Sequence, residues 1–94
     1  MRVSGIDASL RCTGYGVIES AGGRVRAVDL GIVRNPASQP HSACLRALHE
    51  KLTAVLASCA PDAAAMEGGF FFKNARTAMV LGEARGVVIA VCAV

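Results

Sequence analysis

The hydrophobic period of this chain changes along its length, and that change limits the folds open to it. From Arg24 to Val33 apolar residues alternate, with Val25, Ala27, Gly31 and Val33 on one face and Val28, Leu30 and Ile32 on the other. From Leu45 to Cys59 they instead recur at helical spacing, through Leu48, Leu52, Val55 and Leu56. Ser42 is placed to cap that helix, and Pro61 ends it. Asp62 to Glu67 then reads as a short buried strand. A strand, a helix and a second strand in one sheet require a crossover, so the strand ending at Glu67 should run parallel to an earlier one.

Upstream, Arg2 to Asp7 reads as a buried strand and Thr13 to Glu19 alternates around Tyr15 and Val17. Ala21-Gly22-Gly23 is a turn signal, and Asn35-Pro36 with Pro40 marks a loop. Downstream, Asn74 could cap a last helix carrying Ala78, Leu81, Arg85, Val88 and Cys92 on related faces, with Gly82 and Gly86 allowing close backbone approach. The expected order is β-β-β-α-β-α, an α/β fold with a mixed sheet.

Two acidic residues, Asp7 and Glu67, end apolar strands. A charge in that position is costly unless it is paired or bound to a cation. In open α/β sheets the functional crevice lies at the carboxyl ends of the strands. On neighbouring parallel strands the two carboxylates would converge at about 5 Å. Mg²⁺ or Mn²⁺ is the natural neutraliser for such hard oxygen donors, and the chemistry it suits is phosphodiester hydrolysis. The plainer alternative is that Asp7 or Glu67 caps a turn or pairs with Arg11 or Arg85. A two-metal site usually takes three or four carboxylates, and the remaining sequence supplies no further ones in an obvious place.

Phe70-Phe71-Phe72-Lys73-Asn74 holds three of the chain's four aromatic residues, beside a base and a helix start. That grouping suits stacking on an unpaired nucleotide with phosphate contact alongside. The alternative is that two of the rings are core. Gly5 through Gly16 forms an aspartate-led hairpin whose glycines would let a bulky anion approach. It is similar both to metal-dependent nucleases of the ribonuclease H-like class and to the actin and sugar-kinase ATPases. The ATPases need a second glycine-rich phosphate motif, which the chain lacks.

Charge and composition are permissive. Ten basic against seven acidic residues give a net charge of +3, compatible with an anionic partner but far from a basic tail. At 53% hydrophobic the chain can fill a core, so global disorder is excluded. Cys12, Cys44, Cys59 and Cys92 form no C-x-x-C pair, and His41 and His49 complete no zinc spacing. Cys44, Cys59 and Cys92 read as small core residues. The longest uninterrupted apolar run, Val87 to Val94, is eight residues, against roughly 20 for a membrane span. The expectation is a soluble, cytoplasmic protein with no membrane association. The run ends with the chain itself, which reads as a truncated domain.

Two blocks carry a family resemblance. Gly5-Ile6-Asp7 through Thr13-Gly14-Tyr15-Gly16-Val17-Ile18-Glu19 resembles the start of the RuvC crossover junction endodeoxyribonucleases. Met66-Glu67, Phe70 through Lys73-Asn74-Ala75, Ala78 and Leu81-Gly82-Glu83-Ala84-Arg85-Gly86 resemble that family's second acidic motif and the helix after it. The resemblance implies a ribonuclease H-like fold, with residues 1–94 as the N-terminal part of a single nuclease domain, stopping before the last strand and helix. It implies a homodimer, a divalent metal, symmetric nicking of four-way (Holliday) DNA junctions in recombination and repair, and a branch-migration helicase complex as partner. Asp7 and Glu67 match the first two catalytic, metal-binding carboxylates. Phe70 matches the aromatic near the junction's unpaired bases, and Lys73, Asn74 and Arg85 match positions near DNA. Ala8-Ser9 stands where the family has Pro-Gly, and Gly68-Gly69 follows Glu67 in place of a bulkier apolar residue. The family's last two carboxylates have no counterpart here, so the chain alone is expected to be inactive. The alternative is a non-catalytic module of the same fold that binds branched DNA or dimerises.

Overall fold

The computed structural model describes residues 1–67 and 75–93. Among these, the elements are β1 (Arg2–Asp7), β2 (Cys12–Ala21), β3 (Arg24–Arg34), α1 (His41–Cys59), β4 (Ala63–Met66) and α2 (Ala75–Cys92). The sheet order is β3-β2-β1-β4, with β1, β2 and β3 antiparallel in sequence and β4 parallel to β1. The expected crossover is therefore present. Ala21 and Arg24 pair across a two-residue loop in which Gly22 and Gly23 take φ of 56° and 78°. A hairpin turn with both central residues at positive φ matches the strands' twist, and Gly adopts it without a Cβ clash.

Both helices contribute to one core. Ile6, Ala8 and Val33 meet Leu48 and Leu52 of α1 and Ala84, Val88 and Val91 of α2. A second cluster joins Val17 to Val55 and Cys59. Cys44 and Cys59 are buried and Cys92 is half-buried, as small apolar residues would be, and burial pushes the Cys92 thiol above its ordinary pKa. Cys12 is exposed.

Four details differ from the sequence reading. In β3 the pairing with β2 shifts between Val17 and Ile18, so Val28 is an extra residue. A bulge reverses the side-chain parity beyond it. Val25, Leu30 and Ile32 thus share the open face, at 64%, 69% and 53% exposure, while Val28 packs against the core and Val33 is buried. The helix begins at His41 after Pro40, and no side chain caps it, so Ser42 is not its cap. On α2 the buried stripe is Ala84, Val88 and Val91, and among the described residues nothing lies within 4 Å of a Cβ placed at Gly82 or Gly86. Finally, Ala63, Ala64 and Ala65 of β4 are exposed, because β4 is an outer strand of this sheet. The proposed cap Asn74 lies outside the described residues.

The start of β1 is tied down by charge. Glu19 accepts from Arg26 Nη2 and Nε at 2.8 and 3.2 Å and from Arg2 Nε at 3.2 Å. Arg2 also donates to the Cys59 carbonyl at 2.8 Å, and its amide to Asp62 Oδ2 at 2.8 Å. The hydrogen bonds from Arg26, then those from Arg2, hold the Glu19 carboxyl below its ordinary pKa of 4.5. A depressed folded-state pKa contributes stability that is present above the unfolded value and lost as pH falls through the folded one. Melting temperature should therefore drop on acidification below about pH 4.5, and Glu19→Gln should flatten that drop. An equally steep acid limb in the variant would remove Glu19 as its source.

Candidate active site

Asp7 is the last residue of β1, and Glu67 directly follows β4. The parallel register pairs Ile6 with Met66, which makes Asp7 and Glu67 the next opposed positions at the carboxyl ends of the two strands. Both are exposed, and both line an open depression of about 500 Å³ together with Gly5, Gly14, Tyr15 and Met66. Gly5 and Gly14 leave its floor free of side chains, since a Cβ at either would meet nothing within 4 Å. Burial, then the neighbouring Asp29 and Cys59, raise the pKa of the Tyr15 phenol above its ordinary value.

Neither carboxylate makes a hydrogen bond or ion pair among the described residues. The two arginines that could have paired with them point elsewhere. Arg11 Nη1 donates to the Pro36 and Gln39 carbonyls at 2.9 and 3.0 Å and lies 2.9 Å from Cys44 Sγ. Arg85 donates to the main-chain carbonyl of Glu67, not to its carboxylate. Arg85 thus fastens the backbone that carries Glu67 to α2. Phe70, Lys73 and Asn74 lie outside the described residues.

The turn after Asp7 is held by residues that the sequence did not mark. Thr13 Oγ1 donates to the Ser9 carbonyl at 2.5 Å and accepts from the Ser9 amide at 3.1 Å. Asn35, 6% exposed, donates to the Leu10 carbonyl at 2.9 Å and the Cys44 carbonyl at 3.3 Å, and its amide bonds the Arg11 carbonyl at 2.9 Å. With those bonds the Ala8-Ser9 turn closes without Pro-Gly. The signal was a Thr and an Asn at opposite ends of two strands, and only their pairing in space gives it meaning.

The donor set suits a hard cation. Two unpaired carboxylates in one depression offer oxygen ligands of the kind Mg²⁺ and Mn²⁺ prefer. Among the described residues no group of three or more His, Cys, Asp or Glu side chains could hold a metal ion, so the pair is a partial shell.

Comparison with known proteins agrees with this architecture. A family model described as crossover junction endodeoxyribonuclease RuvC matches residues 3–94. The RuvC of Myxococcus xanthus is 47% identical over 89 residues, covering 95% of this chain and 47% of that protein. The RuvC of Thermomicrobium roseum is 41% identical over 92 residues, covering 98% of this chain and 56% of that protein. The structure of T. thermophilus RuvC in complex with Holliday junction substrate superposes with a TM-score of 0.90 at 27% identity, over 97% of this chain and 58% of that one. The chain spans about half the length of the curated relatives it matches. Sequence, sheet topology and superposition together place this chain in the RuvC family of crossover junction endodeoxyribonucleases.

Proposed function

We propose that this chain provides one half of a metal-dependent endonuclease centre that nicks four-way DNA junctions in recombination and repair. The observation that carries this reading is the β1–β4 register. It brings Asp7 and Glu67 to adjacent strand ends, without a partner among the described residues, in an open depression of about 500 Å³. Asp7 and Glu67 would hold the divalent cation, Mg²⁺ or Mn²⁺, which when bound supplies charge neutralisation at the scissile phosphate and a more acidic water. The chain's own residues do the positioning. Thr13 and Asn35 fix the turn after Asp7, and Arg85 fixes the Glu67 backbone. Phe70, Lys73 and Asn74 would contact DNA beside the cut, with Arg85 close to it. Two carboxylates fall short of the donor set such a centre uses, so the 94-residue chain should bind junctions without turning them over. Residues 1–94 act in this reading as the first part of one nuclease domain. A homodimer placing two such sites symmetrically, a helicase complex feeding the junction, and a cytoplasmic location complete it. No helix among the described residues is long and apolar enough to cross a membrane.

A gel-shift titration tests the reading. The chain should bind a synthetic four-way junction at least about tenfold more tightly than a linear duplex of the same length, a preference of about 1.4 kcal/mol. Equal affinity for both would leave only non-specific phosphate attraction.

A further inference from the structure

We infer that the groove between the turn after Asp7 and the start of α2 is a phosphate subsite. On the nuclease reading above, its occupant is a backbone phosphate of the strand that crosses the carboxylates. The groove measures about 480 Å³ and is lined by Ser9, Leu10, Arg11, His41, Arg76 and Thr77, with two apolar residues of α2 behind them. Ser9 is two residues beyond Asp7, at most about 7 Å of extended chain, so the groove adjoins the depression that holds Asp7 and Glu67.

Its chemistry is that of an anion site. Arg11 and Arg76 face it from different elements, and none of the lining residues is acidic. Arg11 is already immobilised. Its Nη1 is committed to Pro36, Gln39 and Cys44, while Nε and Nη2 carry no hydrogen bond among the described residues. A guanidinium fixed in this way loses little freedom on binding and presents a planar fork that matches phosphate oxygens. Arg76, in the first turn of α2, is exposed and has no hydrogen bond or ion pair among the described residues. His41 opens α1, a 19-residue helix with no side-chain cap and no acidic residue of its own in the first turn, so the helix itself places no carboxylate against the positive end of its dipole. His41 Nε2 sits 3.4 Å from Glu83 Oε2, and Glu83 lies outside the lining. Glu83 thus lies beside the imidazole, and neither arginine pairs with a carboxylate among the described residues.

The test has two arms on the 94-residue chain. Inorganic phosphate, titrated while amide resonances are followed, should shift Leu10, Arg11, Arg76 and Thr77 saturably. Arg76→Ala should abolish those shifts without disturbing the rest of the spectrum, and Arg76→Lys should restore them in part, since it keeps the charge and loses the fork. Shifts that fall elsewhere, or that survive Arg76→Ala, overturn the subsite. In the second arm, the slope of log affinity for a synthetic four-way junction against log salt should fall by about one in Arg76→Ala. An unchanged slope overturns the assignment of the groove to a strand phosphate. If phosphate titrates into the groove while the wild-type chain binds no junction, the nuclease reading falls and the groove stands as a site for free phosphate.

Discussion

Asp7→Asn should abolish junction cleavage while leaving junction binding intact. The expected result is for a chimera in which residues 1–94 are joined to the remaining half of one of the relatives, assayed on a synthetic four-way junction with Mg²⁺. Asn keeps the shape of Asp but removes the charge, and its carbonyl is a poor substitute for a carboxylate toward a hard cation. Metal-derived charge stabilisation amounts to several kcal/mol, and each 1.36 kcal/mol is tenfold in rate, so the loss should reach about a thousandfold. Binding should be unchanged or slightly stronger, because a negative charge next to the DNA backbone has been removed. Asp7 is exposed and has no partner among the described residues, so the fold has no stake in its charge. Cleavage within tenfold of the unsubstituted chimera would end the assignment of Asp7 as a metal donor. Lost binding together with lost cleavage would point to a positioning role.

The second large effect concerns the core. Leu48 is fully buried, inside the cluster formed by Ile6, Val33, Leu52 and Val88. Leu48→Ala removes that contact and leaves a cavity, at a cost of about 2–5 kcal/mol. A domain of this size has about 5–15 kcal/mol in total, and 1 kcal/mol shifts its melting temperature by about 4–8 °C. The thermal midpoint by circular dichroism should therefore fall by at least about 8 °C. Leu45, which is only half-buried against the same cluster, should cost less when truncated. Equal losses at the two positions would mean that α1 is not seated on the sheet as described.

The switch in hydrophobic period was sufficient to read the element order and the crossover, because both follow from local periodicity and from the geometry of parallel pairing. The juxtaposition of Asp7 and Glu67 followed from the same two facts. The bulge at Val28 was not readable, since alternation reports parity and an inserted residue leaves an apolar run looking unbroken. The hydrogen bonds of Thr13, Asn35 and Arg85 were hidden for another reason. Each joins residues that sequence spacing does not relate, such as Asn35 to Leu10, and polar side chains near turns have many local uses. Pro40 in place of Ser42 at the start of α1 shows how little separates one helix start from another two residues away.

The parallel pairing of β1 with β4 also governs the order in which the protein can be built. The β1–β2 and β2–β3 pairs close over short turns, whereas β4 reaches β1 only after the whole of α1, as the Arg2–Asp62 hydrogen bond across 60 residues shows. Loop-closure entropy makes such a contact late in folding. Its strand is also short, only four residues, so few backbone hydrogen bonds to β1 hold it. Asp7 and Glu67 therefore share a depression only in the fully closed state. A chain still folding, or one with β4 transiently released, keeps its meander and its first helix but has its two carboxylates apart.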